Sequence, residues 1–172
     1  KLLQKPLLQP PYGEIPMIDC IELKQTMEDH DKAFIEVSFL LDMFVDTIEA
    51  FVGKSTPSLA VAAGRKMAKN MPIYLDEPNA AFALSEMVRV FSEGFDIKGA
   101  FTGKEATIEI DHCPIRSVCL ERKLEINGST CQMFHYYIAG IMAELTGSPA
   151  RPQTVEAGEK CTFKLAFSGL KT

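Results

Sequence analysis

Near residue 96 the spacing of the apolar residues changes from the period of a helix to the period of a strand. Before this point they recur every three or four positions, which is typical of amphipathic helices. After it, Ile97 to Phe101 and Ala106 to Ile110 alternate across a turn, as in a β-hairpin with one buried face. A second hairpin is predicted from Arg151 to Phe167. This order predicts an α+β fold, in which an antiparallel sheet of about four strands in two hairpins packs against four to five helices.

Capping and stop residues predict where the helices begin and end. The first helix has Asp29 or Asp31 as its N-cap and stops at Gly53. The remaining predicted helices run from Thr56-Pro57 to before Pro72, from Asn79 to Gly94, from Pro114 to the Asn127-Gly128 break, and from about Cys131 to Leu145.

The chain of 172 residues is long enough to bury one core and short for two, which predicts a single domain. Four of the ten prolines fall within the first 16 residues, and proline-rich chain is typically extended. We therefore predict an extended N-terminal arm over residues 1–28 and one folded domain over residues 29–172.

Composition argues against several classes of protein. A net charge of −5 without a cluster of Lys and Arg argues against nucleic acid as a partner. The apolar runs are interrupted by charge and fall short of the roughly 20 residues of a membrane span. Five cysteines cannot all pair, and no signal-peptide pattern accompanies them, so reduced thiols in the cytoplasm are expected.

The C-terminal third concentrates residues that bind metals. Thiolates and imidazoles are ligands for zinc and iron, and the predicted ligands are Cys113, Cys119, Cys131, Cys161 and His135. Their spacing matches no compact zinc ribbon, so the site requires convergence in the fold. Cys131 and His135 lie four residues apart on one helix face. The alternative is that these cysteines are ordinary small core residues.

A cysteine nucleophile with a histidine base is a further alternative, with Cys113 beside His112 or Cys131 with His135 as the pairs. Adjacent side chains usually diverge, which disfavours the first pair, and no residue is assigned a catalytic role. Tyr136 and Tyr137 either line a pocket or pack in the core.

Several motifs, in this order, resemble the 4-vinyl-reductase-type (hydrocarbon-binding) domain, which belongs to the fold group of the TRAPP subunits. They are Ala62-Ala63-Gly64-Arg65, Cys113-Pro114 after the first hairpin, Cys131 to Gly140 with its Tyr-x-Ala-Gly core, Gly147, and Gly158-Glu159-Lys160-Cys161-Thr162-Phe163. The resemblance spans about residues 30–167. It implies a TRAPP-like sheet covered by helices, frequent homodimers, and a sensory or ligand-binding role with a pocket for a small hydrophobic or aromatic molecule. Without an output domain in the chain, a sensor needs a separate output protein.

The candidate pocket residues lie on apolar helix faces that can meet the last long helix: Phe44, Met67, Met87, Phe91, Tyr136 and Met142. In aromatic-sensing regulators of the family a zinc lies near the pocket, and Cys131 and Cys161 match two of its ligands. The Glu and Cys that the family places in the strand before Cys161 are missing here, where only Glu156 is of the needed type. Cys113 and Cys119 are the candidate replacements, in a four-thiolate site for zinc or an iron–sulfur cluster.

A more distant resemblance, through Cys113-Pro114 and the closing Gly-x-x-Cys-x-Phe, is to the aminothiazoline-carboxylate hydrolase family. It implies an enzyme with Cys113 or Cys131 as nucleophile, where the first resemblance implies a binding module.

Overall fold

The computed structural model describes residues 26–75, 79–92 and 94–170. Five α-helices and four strands lie within these ranges. The helices are α1 (Met27–Val52), α2 (Thr56–Ala68), α3 (Ala80–Phe91), α4 (Pro114–Glu121) and α5 (Ser129–Thr146). The strands are β1 (Asp96–Thr102), β2 (Glu105–His112), β3 (Ala150–Ala157) and β4 (Cys161–Phe167). The predicted α+β class is confirmed. The predicted arm lies outside the described residues, apart from its last three, of which two belong to α1.

The four strands form one antiparallel sheet in the order β1-β2-β4-β3. Each predicted hairpin supplies two neighbouring strands, and β2 pairs with β4 at the centre. Alternate residues of these central strands are buried on one face, namely Ala106, Ile108, Ile110, Phe163, Leu165 and Phe167. α3 and α5 supply the opposite side of this core through Leu84, Met87, Ile138, Ile141 and Met142.

Several helix boundaries differ from the prediction by a few residues, among them the start of α1 and the end of α4. α1 begins at Met27, ahead of the predicted N-cap, so Glu28 and Asp31 lie in its first turns, where the helix dipole favours acidic side chains. α4 ends at Glu121, before the predicted break. Lys123 there adopts a left-handed φ of 56°, and the Leu124 N–H donates to the Cys119 carbonyl at 2.8 Å, which closes the helix as a Schellman motif does.

α2 and α5 approach each other backbone to backbone at two glycines. A Cβ built on Gly64 would overlap the Tyr137 carbonyl oxygen, and one built on Gly140 would overlap the Val61 carbonyl oxygen. Both glycines are buried. α5 is thereby packed between α2 on one side and the sheet on the other.

α1 contacts the body along one side only. Ser38, Asp42 and Val45 are buried on that side. Arg122 donates from Nε to Asp42 Oδ2 at 3.3 Å, and its guanidinium lies 4.6 Å from the centre of the Phe39 ring. Elsewhere α1 exposes large apolar side chains, among them Val37, Leu40, Phe44 and Phe51. No helix in the described ranges is both long enough and apolar enough to cross a membrane.

Gly140→Ala is expected to destabilise the protein by more than about 2 kcal/mol, because the added methyl group forces α2 and α5 apart. Chemical denaturation of the two proteins measures this difference. Gly94→Ala is the matched control, since a Cβ there meets no atom within 4 Å. Equal free energies of unfolding for Gly140→Ala and Gly94→Ala would contradict the close approach.

Candidate functional site

The fold brings the four predicted cysteine ligands to one end of the sheet. Cys113 follows β2 and is the N-cap of α4, and Cys119 lies in the last turn of the same helix. Cys131 lies in the first turn of α5, and Cys161 is the first residue of β4. Because Ile110 of β2 pairs with Cys161, the end of β2 leads Cys113 towards the same region. All four are free thiols.

A small cavity lies among three of these thiols. Its volume is about 20 Å³, and Cys113, Cys131, Cys161 and His135 are part of its wall together with Arg116. Cys119 is not part of this wall. Its Sγ instead lies 3.7 Å from the Cys131 Sγ, and the Cys119 side chain is fully buried.

His135 is held in the wall by contacts on both ring nitrogens. Its Nε2 lies 3.4 Å from the Cys161 Sγ, and its Nδ1 lies 3.2 Å from the Thr154 Oγ1. The Thr154 hydroxyl donates to Asn127 Oδ1 at 2.9 Å, so its oxygen is left to accept from His135 Nδ1–H. The network therefore implies the Nδ1–H tautomer, with the Nε2 lone pair directed at Cys161. The ring also stacks on Phe163, with centroids 4.2 Å apart.

Burial keeps these groups uncharged. Desolvation, followed by the nearby Cys131, raises the pKa of Cys119 to about 12. Desolvation also raises the pKa of Cys161 to about 11 and raises that of Cys113. It lowers the pKa of His135 to about 4. At neutral pH the structure thus holds these three cysteines as thiols beside a neutral imidazole.

The zinc site of the resembling regulators does not fit this chain. Glu156, its one acidic residue in β3, is exposed to solvent. Throughout the described part of the chain, no three His, Cys, Asp or Glu side chains stand close enough together, as placed, to hold a metal ion. The predicted cofactor, zinc or an iron–sulfur cluster, stays a prediction.

A larger pocket adjoins the thiol cavity. Its volume is about 340 Å³, and it opens between α1, α2 and α5. Apolar side chains dominate its wall, which consists of Leu41, Val45, Ile48, Leu59, Ala60, Ala63, Ile115, Thr130, Met133, Phe134 and Tyr137. Ile115 and Phe134 belong to the walls of both spaces, so they separate the pocket from the thiol cavity.

None of the six residues predicted to line a pocket belongs to this wall. Phe44 and Met67 are exposed, whereas Met87 and Met142 are fully buried in the core. Phe91 packs partly buried against that core, and Tyr136 lines a separate groove near Gly53. Apolar periodicity identifies a helix face, but it does not say which faces leave a gap between them. The neighbouring Tyr137, considered with Tyr136 for a pocket, does line this one.

The predicted nucleophile and base pairs are not brought together as pairs. His112 is exposed while Cys113 is buried. His135 directs Nε2 at Cys161, and the Cys131 sulfur contacts Cys119. Asn127 and Thr154, which orient the imidazole, were not anticipated, because residues 27 positions apart give no local signal of contact.

No family model matches the chain, and no curated protein matches it. The fold and the candidate site define an α+β protein with an apolar pocket beside a cluster of buried and partly buried thiols. The resemblances to the 4-vinyl-reductase-type domain and to the hydrolase family stay predictions, as does the cytoplasmic location.

The buried His135 should make stability depend on pH. Its pKa is about 4 in the folded protein and about 6.5 in an unfolded chain, so the unfolded state binds the proton first as the pH falls. The free energy of unfolding should decrease from about pH 6.5 to about pH 4, by up to about 3 kcal/mol. Denaturation with a chelator present measures this decrease.

His135→Asn keeps an amide near the Nδ1 position and removes the titrating ring, so the decrease should shrink. His112→Asn, which removes an exposed imidazole, is the control. If the free energy of unfolding of His135→Asn depended on pH as it does in the wild type, protonation of His135 would not be the cause of the decrease.

Proposed function

We propose that this protein binds an apolar small molecule in the pocket between α1, α2 and α5. The observation that supports this most directly is the pocket itself. At about 340 Å³ it lies at the lower end of the range of roughly 300–1,000 Å³ for ligand sites. Such an opening in a stack of helices lowers packing density, which is a cost that a bound apolar molecule would recover.

The chemistry of the wall defines the class of ligand. Ring and aliphatic side chains such as Phe134, Leu41 and Ile48 favour an aromatic or hydrocarbon body. Among the described lining residues, Thr130 and Tyr137 carry hydroxyl groups that suit a ligand with one or two polar atoms. Charged residues do not occur among the described lining residues, so an ionised ligand would lose its hydration without a partner.

A sensory role, a homodimer and a separate output protein are parts of the same proposal. Leu41, Val45 and Ile48 of α1 form one wall of the pocket, so a ligand would contact the same helix whose other sides expose apolar residues. Phe51 of this helix is 87% exposed and Val37 is 62% exposed. Large apolar side chains exposed along one helix are typical of interaction surfaces. Ligand binding would thus be relayed to a partner through α1.

The alternative function, a hydrolase that uses a cysteine nucleophile, has weaker support from the site. A cysteine nucleophile reacts as a thiolate, which requires a lowered pKa. Burial instead raises the pKa of Cys113, and it raises that of Cys161 to about 11 beside a neutral His135. This environment favours a protonated thiol.

Filling the pocket tests the proposal. Ala63→Phe places a ring in the pocket wall and should weaken binding of the neutral fluorescent probe N-phenyl-1-naphthylamine at least about tenfold, because it displaces the probe from apolar contacts. Fluorescence titration measures the affinity.

Ala62→Phe is the matched control, since Ala62 is the neighbouring exposed residue of α2 and does not line the pocket. It should bind like the wild type. Equal binding by all three proteins would locate the probe elsewhere and count against the pocket, and so would an equal loss in both variants.

A further inference from the structure

We propose that Cys119 and Cys131 form a site of oxidative modification, at which a small peroxide joins their two sulfurs in an intrachain disulfide. The two Sγ atoms lie 3.7 Å apart, in contact, so that one thiol can donate to the other. Both cysteines are buried free thiols. This modification goes beyond ligand binding in the apolar pocket and does not depend on it.

The fold brings the two cysteines together from different helices. Cys119 lies in the last turn of α4 and Cys131 in the first turn of α5, and 12 positions separate them in the sequence. The chain between them turns back through Lys123 and Asn127, which both adopt a left-handed φ. The Leu124 N–H donates to the Cys119 carbonyl oxygen and fixes the end of α4. The backbone therefore holds the contact between the sulfurs.

Only a small movement separates this contact from a covalent bond. The sulfurs of a disulfide are about 2.0 Å apart, so Cys119 Sγ and Cys131 Sγ need to approach each other by roughly 1.7 Å. Rotation about the Cα–Cβ bond of each cysteine moves the sulfur and leaves the backbone in place. The bond can thus form without separating α4 from α5.

The two thiols differ in their access to an oxidant. Cys131 is 9% exposed and lines the small cavity of about 20 Å³, whereas Cys119 is fully buried and is not part of its wall. A cavity of this size holds about one molecule as small as water. A small peroxide therefore suits it better than a bulky oxidant such as oxidised glutathione. Oxidation begins at Cys131, and Cys119 is the resolving cysteine.

The reaction takes place in two steps. The Cys131 thiolate attacks one oxygen of hydrogen peroxide, the O–O bond breaks, and the sulfur becomes a sulfenic acid. The hydroxide that leaves takes up the proton lost by the Cys131 thiol and becomes water. The Cys119 sulfur then attacks the Cys131 sulfur, and the hydroxyl group leaves with the Cys119 proton as a second water. The two sulfurs together lose two electrons, which reduce the peroxide.

Burial affects both the rate of this reaction and the stability of its product. Desolvation, followed by the nearby Cys131, raises the pKa of Cys119 to about 12, so Cys119 itself does not react first. The same burial leaves the reduced pair without a stabilised thiolate at Cys119. Dithiols whose thiolate is stabilised form easily reduced disulfides, and the converse applies here. The disulfide should therefore form slowly and resist reduction.

The experiment maps disulfides in the folded, full-length chain. Every protein carries Cys20→Ser, because Cys20 lies outside the described residues and would add a further thiol. The protein is treated with excess hydrogen peroxide, denatured in iodoacetamide to block the remaining thiols, and digested with trypsin. Cleavage after Arg116, Arg122, Lys123 and Lys160 leaves each of the other four cysteines in a separate peptide. Mass spectrometry then identifies which two are joined.

One linked species is expected, in which residues 117–122 are joined to the peptide that contains Cys131. Its mass should be about 2 Da below the sum of the two thiol peptides, because two hydrogens are lost. Cys113 and Cys161 should be recovered as alkylated thiols. Non-reducing electrophoresis should show the oxidised protein at the mass of a single chain.

The variants separate this pair from the other thiols. Cys131→Ala should abolish the linked species and leave Cys119 as a thiol, whereas Cys119→Ala should leave Cys131 to oxidise further to a sulfinic acid. Cys113→Ala is the matched control, since it removes another buried thiol of the same cluster, and it should form the linked species as the parent does. Circular dichroism reports whether each variant is folded, and the peptide map of the parent needs no variant.

Four results would overturn the proposal. One is recovery of both Cys119 and Cys131 as thiols from peroxide that oxidises free cysteine completely. Another is a link from Cys131 to Cys113 or Cys161 in place of Cys119. The third is a sulfinic acid at Cys131 of the parent without any linked species. The fourth is a covalent dimer, which would show that the sulfurs of two chains are joined.

Discussion

The packing of α5 between α2 and the sheet is the constraint on which the rest of the structure depends. Gly64 and Gly140 allow the two helix backbones to touch, and this contact fixes the rotation of α5 about its axis. Once the rotation is set, Ile138 and Met142 face the core, His135 lies over Phe163, and Phe134 and Tyr137 face α1 and α2. Side chains three or four positions apart share a helix face, whereas neighbouring ones diverge. One helix thus supplies the core and both candidate sites.

The apolar pocket and the thiol cavity have wall residues in common, but their linings differ in chemical character. The wall of the larger pocket is almost entirely apolar, whereas the wall of the thiol cavity combines cysteine, histidine and arginine side chains with apolar ones. Ile115 and Phe134 belong to both walls, so a change in the position of either side chain would change the shape of both spaces. Close packing transmits such displacements because few voids are available to absorb them. A ligand that displaced either side chain in the pocket would therefore change the shape of the thiol cavity.

Burial accounts for the electrostatic character of the thiol cluster. Uncharged thiols and a neutral imidazole avoid the large cost of placing ions in a poorly solvated interior. The same desolvation makes the cluster a poor place for a free thiolate nucleophile, because an unpaired negative charge is costly in a poorly solvated interior. Asp42 and Arg122 illustrate the other way to bury charge, because each neutralises the other beside α1.

The sequence by itself determined the fold class, the two hairpins and most helix boundaries. These follow from local signals: apolar periods, the Asn79 cap, and Gly103 in its turn. The sequence also identified the cysteines and His135 as the reactive group of residues, because the chemistry of a side chain is known from its residue type alone. Only the tertiary structure decided that Cys119 contacts Cys131 outside the cavity wall and that Asn127 and Thr154 orient His135. It also decided which residues line the pocket, and these are not the six that were predicted. The physical reason is that packing between distant segments depends on shapes and rotations that no local pattern encodes.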